Sequence, residues 1–409
     1  MSSHSRSRIW LMWAVTAVGA VLILLVLGES ACRLNHRPDN PPGSAPYTIP
    51  PQYVTPGLSN GGQDNFAEMV FSPVLTYRPK ENHQGRGYKI NRQGFRRQTD
   101  LASPKGADTV RIFVLGGSFA FGAGVPDGYT YSEVMESQLQ KRFPRQHIEV
   151  VNAGVGGYTS LQEYLLLATR VVRYEPDFVI FLTLANDALF SSKGQDILDG
   201  NDALDYEGAI KACLNQRVVP RIYHGQVFYD PDEPYPPLWE DYHFKLLWTI
   251  DQALFRLKGK IAKKVVFQPL PAKVAARRFC YIHDLKKVWC QLEQMPMLTF
   301  LQPIISSTKK PLHPEERAIW ERLKEENNRV FSELYGAVRQ QLATDLNHSI
   351  FDINDEMRLL GPDTCAFVDW VHFGEVGQKW LGEYLAEKAA PVVAQRLEQR
   401  GLAANSPIK

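Results

Sequence analysis

The sequence predicts an α/β protein in which helices cover both faces of a parallel sheet. Short apolar runs rich in β-branched and aromatic residues alternate with segments of helical spacing, as in repeated βα units. The 409 residues are 44% hydrophobic and 22% charged, so the chain can bury a large core and does not have a disordered composition. The length is long for one domain and short for three.

Composition argues against two classes of function. Forty-six basic and 44 acidic side chains leave a formal charge of +2, which gives no whole-chain reason to expect a nucleic-acid partner. The five cysteines include no CxxC pair, so neither a zinc ribbon nor a disulfide scaffold is expected.

The amino terminus departs from this ordinary composition. Residues 9–28 carry no charge, and a helix of that length covers the roughly 30 Å hydrocarbon core of a bilayer. Arg6 and Arg8 precede it, which favours a cytoplasmic start at 1–8, a transmembrane signal anchor at 9–28 and an exported remainder. A cleaved signal peptide is the alternative, because residues 30–32 are small, but its apolar region is usually only about 7–15 residues long.

Export would allow the cysteines to oxidise. The candidates for pairing are Cys213, Cys280, Cys290 and Cys365, with Cys32 left at the membrane. Their connectivity cannot be deduced from the sequence, and buried free thiols are an equal alternative.

Residues 29–84 are predicted to be a tether and N-terminal extension, because positions 34–63 are rich in Pro, Gly, Ser and Asn. A short extended piece is predicted around 88–91, with a turn at 94–96. The sheet then begins with an apolar run ending at Gly116-Gly117. Strands are predicted at 110–115, 148–151, 178–184, 297–301 and 349–353, and helices at 131–143, 161–174, 315–342 (with a break near Gly336) and 379–399. Sites in such sheets lie at the carboxyl ends of the strands.

About a hundred residues, 190–295, break this rhythm and are predicted to be an insertion. Acidic side chains dominate its first part and basic ones its second. Within the basic part, 244–264 has the spacing of an amphipathic helix, which we expect to pack on the domain with a solvated basic face. A surface for anionic lipid or polymer is the alternative.

Polar residues set among glycines follow three of the predicted strands. Ser118 comes directly after the first, where its amide lies at a helix start that favours negative charge. Gly157 follows the second, where an N–H without a side chain can approach a substrate oxygen closely. Asn186 follows the third, and its amide can donate to an oxyanion, although Asn-Asp commonly caps a turn. The sequence contains no GxSxG elbow at Ser118, GxGxxG fingerprint or P-loop lysine.

Asp369 and His372 stand three residues apart after the last strand. On a turn, the carboxylate can hydrogen-bond one imidazole nitrogen and leave the other facing Ser118. That arrangement fixes the tautomer and stabilises the imidazolium formed when the histidine takes the serine proton. A lone Asp-x-x-His is more often a surface pair, but the four elements together predict a nucleophilic serine site.

These elements resemble the blocks of the SGNH (GDSL-like) hydrolase superfamily, which supply Ser, Gly, Asn and Asp-x-x-His in this order. Gly117 stands where the family name has Asp, and Ala185 where glycine is usual. Segments 90–96 and 122–125 also resemble bacterial membrane-anchored members. The resemblance places the domain at 85–392, apart from the insertion, with a C-terminal tail at 393–409.

The resemblance implies a flavodoxin-like three-layer α/β/α sandwich with a five-stranded parallel sheet, and ester chemistry through an acyl-enzyme without metal or organic cofactor. Ser118 is then the nucleophile, His372 the base and later the acid, and Asp369 the residue that orients His372. The Ser118 and Gly157 amides and the Asn186 side chain hold the oxyanion.

Three functions remain open at the level of sequence. The favoured one is a serine esterase for a carboxylic ester, such as an O-acetyl group, on an extracytoplasmic carbohydrate. An O-acyltransferase for an exported polysaccharide or envelope glycan would use the same residues. The third is a catalytically silent carbohydrate-binding or scaffold protein, which the departures at Gly117 and Ala185 favour and the intact site residues oppose. The expected partners are an acylated small molecule or glycan and the inner membrane, and not nucleic acid.

Overall fold

A computed structural model describes residues 26–31, 69–72, 74–85, 87–192, 194, 197, 270–323, 325–342 and 350–401. The chain divides into two compact units, Met1–Pro46 with Asp230–Val266, and Tyr47–Tyr229 with Phe267–Lys409. The described part of the first unit is a short helix at 26–31, and the second unit contains every element named below.

The cytoplasmic start at 1–8 and the predicted signal anchor at 9–28, except for its last three residues, lie outside the described residues, as does the segment 244–264. Within the described ranges, no helix combines the length and the apolar character needed to cross a membrane.

Two short antiparallel hairpins precede the main sheet. Strand β1 (Met69–Ser72) pairs with β2 (Thr76–Pro79), and β3 (Gln84–Gly85) pairs with β4 (Tyr88–Lys89). The extended piece predicted around 88–91 coincides with β4. The first hairpin lies in the predicted N-terminal extension, and it carries ordered, buried side chains such as Tyr77.

The main sheet has five parallel strands, as the sequence predicts. They are β5 (Thr109–Gly116), β6 (His147–Gly154), β7 (Phe178–Thr183), β8 (Met297–Leu301) and β9 (Ile350–Asp352). The spatial order is β6-β5-β7-β8-β9, and every residue of the inner strands β5 and β7 is buried, which explains why neither sequence alternates between polar and apolar residues. Gly116 pairs with both Gly154 and Leu182, so the carboxyl ends of β5, β6 and β7 lie level and the loops that follow them meet.

Helices cover both faces of this sheet. They are α1 (Ser118–Phe121), α2 (Tyr131–Arg142), α3 (Ser160–Thr169), α4 (Ala185–Ser192), α5 (Ala272–Leu292), α6 (Pro314–Arg322), α7 (Glu325–Leu342), α8 (Ile353–Glu356) and α9 (Glu375–Gln399). On one face, Ile112 and Val114 of β5 pack with residues of α2 and α9. On the other, Phe113 and Leu115 pack with α3 and the end of α5. This alternation gives the three-layer sandwich.

Element boundaries differ from the predictions where a local backbone change interrupts a periodic pattern. The helix predicted at 315–342 is two helices, α6 and α7, because Leu323 takes an extended conformation with φ −69° and ψ 133°. The break is not near Gly336, which lies inside α7. The helix predicted at 161–174 ends at Thr169, and a 3-10 turn continues to Tyr174.

The insertion and the tail contribute more to the sandwich than their predicted roles imply. Helix α5 falls within 190–295, yet it packs against α3 and α7 and buries Ala276, Phe279 and Ile282. Helix α9 runs past the predicted tail boundary at 393 and buries Leu397. Segments that interrupt or follow the predicted alternation of strands and helices therefore still contribute buried side chains to the core.

Candidate active site

Ser118 lies at the junction between the inner strand β5 and the short helix α1. It is 7% exposed, and its hydroxyl oxygen is 2.7 Å from Nε2 of His372, a residue 254 positions away in the chain. The parallel sheet brings the two together because the loop after β5 and the loop before α9 both lie at its carboxyl edge.

The loop that carries His372 is a tight hairpin. Phe367 and Phe373 form an antiparallel bridge, and the Val368 amide donates to the His372 carbonyl at 2.9 Å. At its base, the buried Glu316 of α6 accepts the amides of Ala366 and Phe367 at 2.8 and 3.0 Å. These bonds hold the loop in one conformation against the sheet.

Asp369 orients His372 with both carboxylate oxygens. Oδ2 is 2.6 Å from Nδ1 of His372, and Oδ1 accepts the backbone amides of Val371 and His372 at 2.8 and 2.6 Å. Burial acts to raise the pKa of Asp369, but the His372 imidazole and these hydrogen bonds outweigh it, so the pKa lies below its ordinary value. A carboxylate that stays charged at neutral pH stabilises an imidazolium on His372.

The turn from Val155 to Tyr158 carries Gly157 and lies next to Gly117, because a Cβ built at Gly117 would be 3.3 Å from the Tyr158 carbonyl oxygen. The Tyr158 amide donates to the Val155 carbonyl at 3.2 Å, and Gly157 has φ +80°, a conformation that favours glycine. Within the described part of the chain, no group accepts a hydrogen bond from the amide of Gly157 or of Ser118. Both N–H groups can therefore serve a ligand.

Asn186 is the second residue of α4 and lies next to the same turn. Its Nδ2 donates to the Tyr158 carbonyl at 2.8 Å, which uses one of the two amide hydrogens and leaves the other for a ligand. Leu184, two residues before Asn186, has φ +97°, which is unusual for a residue with a side chain and indicates a constrained backbone after β7.

The departure from the family pattern at Gly117 has a steric explanation in this chain. A Cβ built at Gly117 would lie 2.3 Å from Nδ2 of Asn186 and 3.3 Å from the Tyr158 carbonyl oxygen. Glycine at 117 thus allows the Asn186 amide to pack directly against the backbone that leads into Ser118.

The segment 90–96 contacts and supports the chain that follows Ser118. Arg96 is buried and donates to the carbonyls of Phe121, Gly122 and Val125 at 2.8–2.9 Å, and its Nε is 2.8 Å from Asp127. One guanidinium therefore satisfies the carbonyls at the end of α1.

Asp187, which follows Asn186 in the sequence, is a buried residue. Its carboxylate accepts the Ser160 amide at 3.1 Å and the Ser160 hydroxyl, so it joins the starts of α3 and α4. Burial, reinforced by the nearby Glu163, raises the pKa of Asp187 to about 7, although Ser160 and Lys286 act in the opposite direction. The Asn-Asp pair alone did not reveal this, because the sequence does not show that the Asp187 carboxylate is buried.

One group of side chains among the described residues has metal-ligand chemistry. Ligand atoms of His313, Glu315 and Cys365 lie within 4.8 Å of one another. Nδ1 of His313 already accepts the Glu315 amide at 3.3 Å as a helix cap. These residues are not part of the Ser118 site. Of the cysteines considered for pairing, Cys290 is a buried free thiol.

A model of the GDSL-like lipase/acylhydrolase family matches residues 114–290. Similar solved structures include the acetyl xylan esterase AlAXEase, with 14% identity over 68% of this chain and 99% of that chain and a TM-score of 0.37. The lipase/acylhydrolase from Enterococcus faecalis has 14% identity over 69% and 96% of the two chains, with a TM-score of 0.35. A variant of an acetyl-xylooligosaccharide esterase from Geobacillus Stearmophilus has 12% identity over 70% and 94%, with a TM-score of 0.36.

A search of curated proteins found no match to the sequence. The matched family region begins inside β5 and covers Ser118, Gly157 and Asn186. Asp369 and His372 lie beyond it, in the loop before α9, and follow in the order that the family resemblance implies. The chain therefore carries a domain of the GDSL-like lipase/acylhydrolase family, the SGNH hydrolases.

Proposed function

We propose that the protein is a serine ester hydrolase in which Ser118, His372 and Asp369 are the catalytic triad. The observation that carries the proposal is the continuous hydrogen-bonded chain from the Ser118 hydroxyl to Nε2 of His372 at 2.7 Å and from Nδ1 to Asp369 at 2.6 Å. A nucleophile, a base and an orienting carboxylate within hydrogen-bond reach are what acyl transfer through a serine requires.

The first half of the reaction forms an acyl-enzyme. The Ser118 oxygen attacks the ester carbonyl carbon while its proton passes to Nε2 of His372, and Asp369 stabilises the imidazolium that results. The negative oxygen of the tetrahedral intermediate accepts hydrogen bonds from the amides of Ser118 and Gly157 and from the Asn186 side chain. His372 then returns the proton to the leaving alcohol, and the carbon–oxygen bond to that alcohol breaks.

The second half releases the acyl group. His372 takes a proton from water, the hydroxide oxygen attacks the acyl carbon, and the Ser118 oxygen leaves with the proton from His372. If a sugar hydroxyl takes the place of water, the same steps transfer the acyl group instead. Hydrolysis and transfer thus differ in the acceptor and not in the residues.

We further propose that the substrate is a small carboxylic ester, such as an O-acetyl group, carried by a carbohydrate outside the inner membrane. The support for this location is the uncharged segment at 9–28 with Arg6 and Arg8 before it, which favours a single-pass anchor and an exported domain.

The test compares the full-length protein in mild detergent with Ser118→Ala and His372→Ala on p-nitrophenyl acetate and on acetylated xylan. Ser132→Ala, which removes a buried serine hydroxyl in α2, is the matched control. We expect hydrolysis by the parent and the control and a loss of at least about 10³-fold in kcat for both site variants. Equal rates in the parent and Ser118→Ala would contradict the proposal, and acetate recovered on an added glycan instead of in solution would identify a transferase.

A further inference from the structure

We propose that Tyr77, in the hairpin of β1 and β2, is a positioning residue that fixes the direction of the Gly157 amide. The inference rests on the proposed function, in which this amide holds the oxyanion. Tyr77 lies outside the region 114–290 that the family model matches, in the segment that the sequence assigns to an N-terminal extension.

The turn that carries the amide has two possible states. Its closing hydrogen bond from Tyr158 to Val155 and the positive φ of Gly157 define a type II turn, since Gly156 is not at positive φ. Type I and type II turns differ by a rotation of their central peptide, which here consists of the Gly156 carbonyl and the Gly157 N–H. Glycine at both central positions removes the side-chain barrier that would otherwise favour one state.

The Tyr77 hydroxyl donates to the Gly156 carbonyl at 2.9 Å. In a trans peptide the C=O and the N–H point in opposite directions, so holding the oxygen of Gly156 also sets the direction of the Gly157 N–H. Two backbone groups at the ends of the turn are held separately: the Val155 amide donates to the Gly116 carbonyl at 2.9 Å, and the Tyr158 carbonyl accepts from Asn186 at 2.8 Å. Among the described residues, Tyr77 is therefore the one whose hydrogen bond acts on the central peptide.

Tyr77 is itself firmly placed. The Tyr158 hydroxyl donates back to the Tyr77 carbonyl, and the two rings pack edge to face with centroids 5.3 Å apart. Gln162 of α3 donates to the Leu75 carbonyl at 3.2 Å. Between these contacts, the β-branched Thr76 has φ +68°, a strained conformation that persists only where the surroundings over-determine it.

The phenol also keeps its donor proton. Tyr77 is 2% exposed, and burial, with a further contribution from Tyr158, raises its pKa well above the ordinary value. The hydrogen bond to Gly156 is therefore available throughout the pH range in which esters are assayed.

The experiment compares full-length Tyr77→Phe with Tyr335→Phe. Tyr335 is equally buried and donates to the Gln302 carbonyl at the same 2.9 Å, but it lies on α7 and does not contact the turn. Each variant loses one buried phenol hydroxyl, so Tyr335→Phe controls for the general loss of stability that such a substitution causes. The readouts are kcat and KM on p-nitrophenyl acetate, and the orientation of the 156–157 peptide in a crystal structure of Tyr77→Phe.

We expect Tyr77→Phe to lower kcat by about 3- to 10-fold, which is the effect of losing one buried neutral hydrogen bond, with KM unchanged. Tyr335→Phe keeps the parent kcat, and the 156–157 peptide rotates in Tyr77→Phe crystals. If the parent is active but Tyr77→Phe matches Tyr335→Phe and keeps its turn, this inference alone is overturned. If the folded parent has no Ser118-dependent activity, the proposed function is overturned, and the role of Tyr77 in it falls as well.

Discussion

Replacing Asp187 by Asn will change how the stability of the protein depends on pH. Asp187 is 2% exposed, and its carboxylate accepts hydrogen bonds from the amide and the hydroxyl of Ser160. The charged neighbours that act on it are Glu163, which raises its pKa, and Lys286, which lowers it and is itself paired with Glu163 at 2.6 Å. Burial is the largest effect, and the pKa of Asp187 lies at about 7.

The sign and size of the effect follow from proton linkage. An aspartate in the unfolded chain has a pKa of about 3.9, so between about pH 4 and 7 the folded protein binds the Asp187 proton more tightly than the unfolded chain. The free energy of unfolding therefore falls as pH rises through this window and levels off above about pH 7. A difference of about 3 units at about 1.4 kcal/mol per unit corresponds to a loss on the order of 4 kcal/mol.

The assay is urea unfolding of the full-length protein and of Asp187→Asn, followed by tryptophan fluorescence, at intervals from pH 4.5 to 8 (about half a unit apart). Because asparagine does not titrate, we expect the variant to gain stability relative to the parent as pH rises. Ser160→Ala removes a donor that favours the ionised carboxylate, so it should shift the window to higher pH. A difference between parent and Asp187→Asn that is the same at pH 5 and pH 8 would refute the reasoning.

Three further substitutions test other parts of the site. Gly117→Ala places a Cβ 2.3 Å from Nδ2 of Asn186 and should displace this oxyanion donor. We expect a decrease in kcat that approaches the value for losing one such donor, about 10²–10³-fold. An unchanged kcat would contradict the steric argument. Asp369→Asn should lower kcat by about 10⁴ at pH 7. Folding lowers the pKa of Asp369, so its ionised carboxylate stabilises the parent above about pH 3.9. This contribution is lost only as the pH falls through the pKa of Asp369 in the folded protein. A parent that loses it nearer neutral pH would contradict the lowered pKa. Lys310→Met removes the partner of Glu316, and both side chains are fully buried, so the substitution should cost about 3–5 kcal/mol in urea unfolding. A change below about 0.5 kcal/mol would contradict the stabilising role of this contact.

The sequence was sufficient to predict the five parallel strands. Residues 110–115 and 178–184 have no polar alternation, which is expected only of strands covered on both faces, and β5 and β7 are indeed inside the sheet. Residues 297–301 are β8 with the same bounds. Mostly apolar runs carry this information locally, and Gly or Pro follows some of them, such as Gly116 after 110–115 and Pro303 after 297–301.

The covering helices were harder to delimit. Helix α5 buries Phe279 and Ile282 against the sandwich, but it lies within the segment 190–295, which breaks the alternation of strands and helices and was therefore predicted to be an insertion. The break between α6 and α7 depends on the backbone of Leu323, a residue with ordinary helix propensity. In both places tertiary packing determines where the helix lies or ends, and the local sequence pattern does not indicate that packing.

Ser118 and Asn186 could be predicted as candidate site residues because each follows a strand end, and Asp369 and His372 because they stand three residues apart after the last strand. Ser118, Asn186, Asp369 and His372 are polar residues in motifs with a known order, and the structure brings Ser118 within 2.7 Å of His372. Their catalytic roles stay predictions until they are tested. Tyr77 could not be predicted, because it belongs to none of these motifs and no sequence pattern marks its contact with Gly156, 79 residues away.

The central claim is that Ser118 is an activated nucleophile, and the most direct test is labelling with a fluorophosphonate followed by mass spectrometry of the digested protein. We predict that the full-length parent forms one adduct, on the peptide that contains Ser118, and that Ser118→Ala and His372→Ala form none. The reason is that the serine reacts only when His372, at 2.7 Å, removes its proton. A folded parent that does not react, or that reacts at a different residue, would contradict the account.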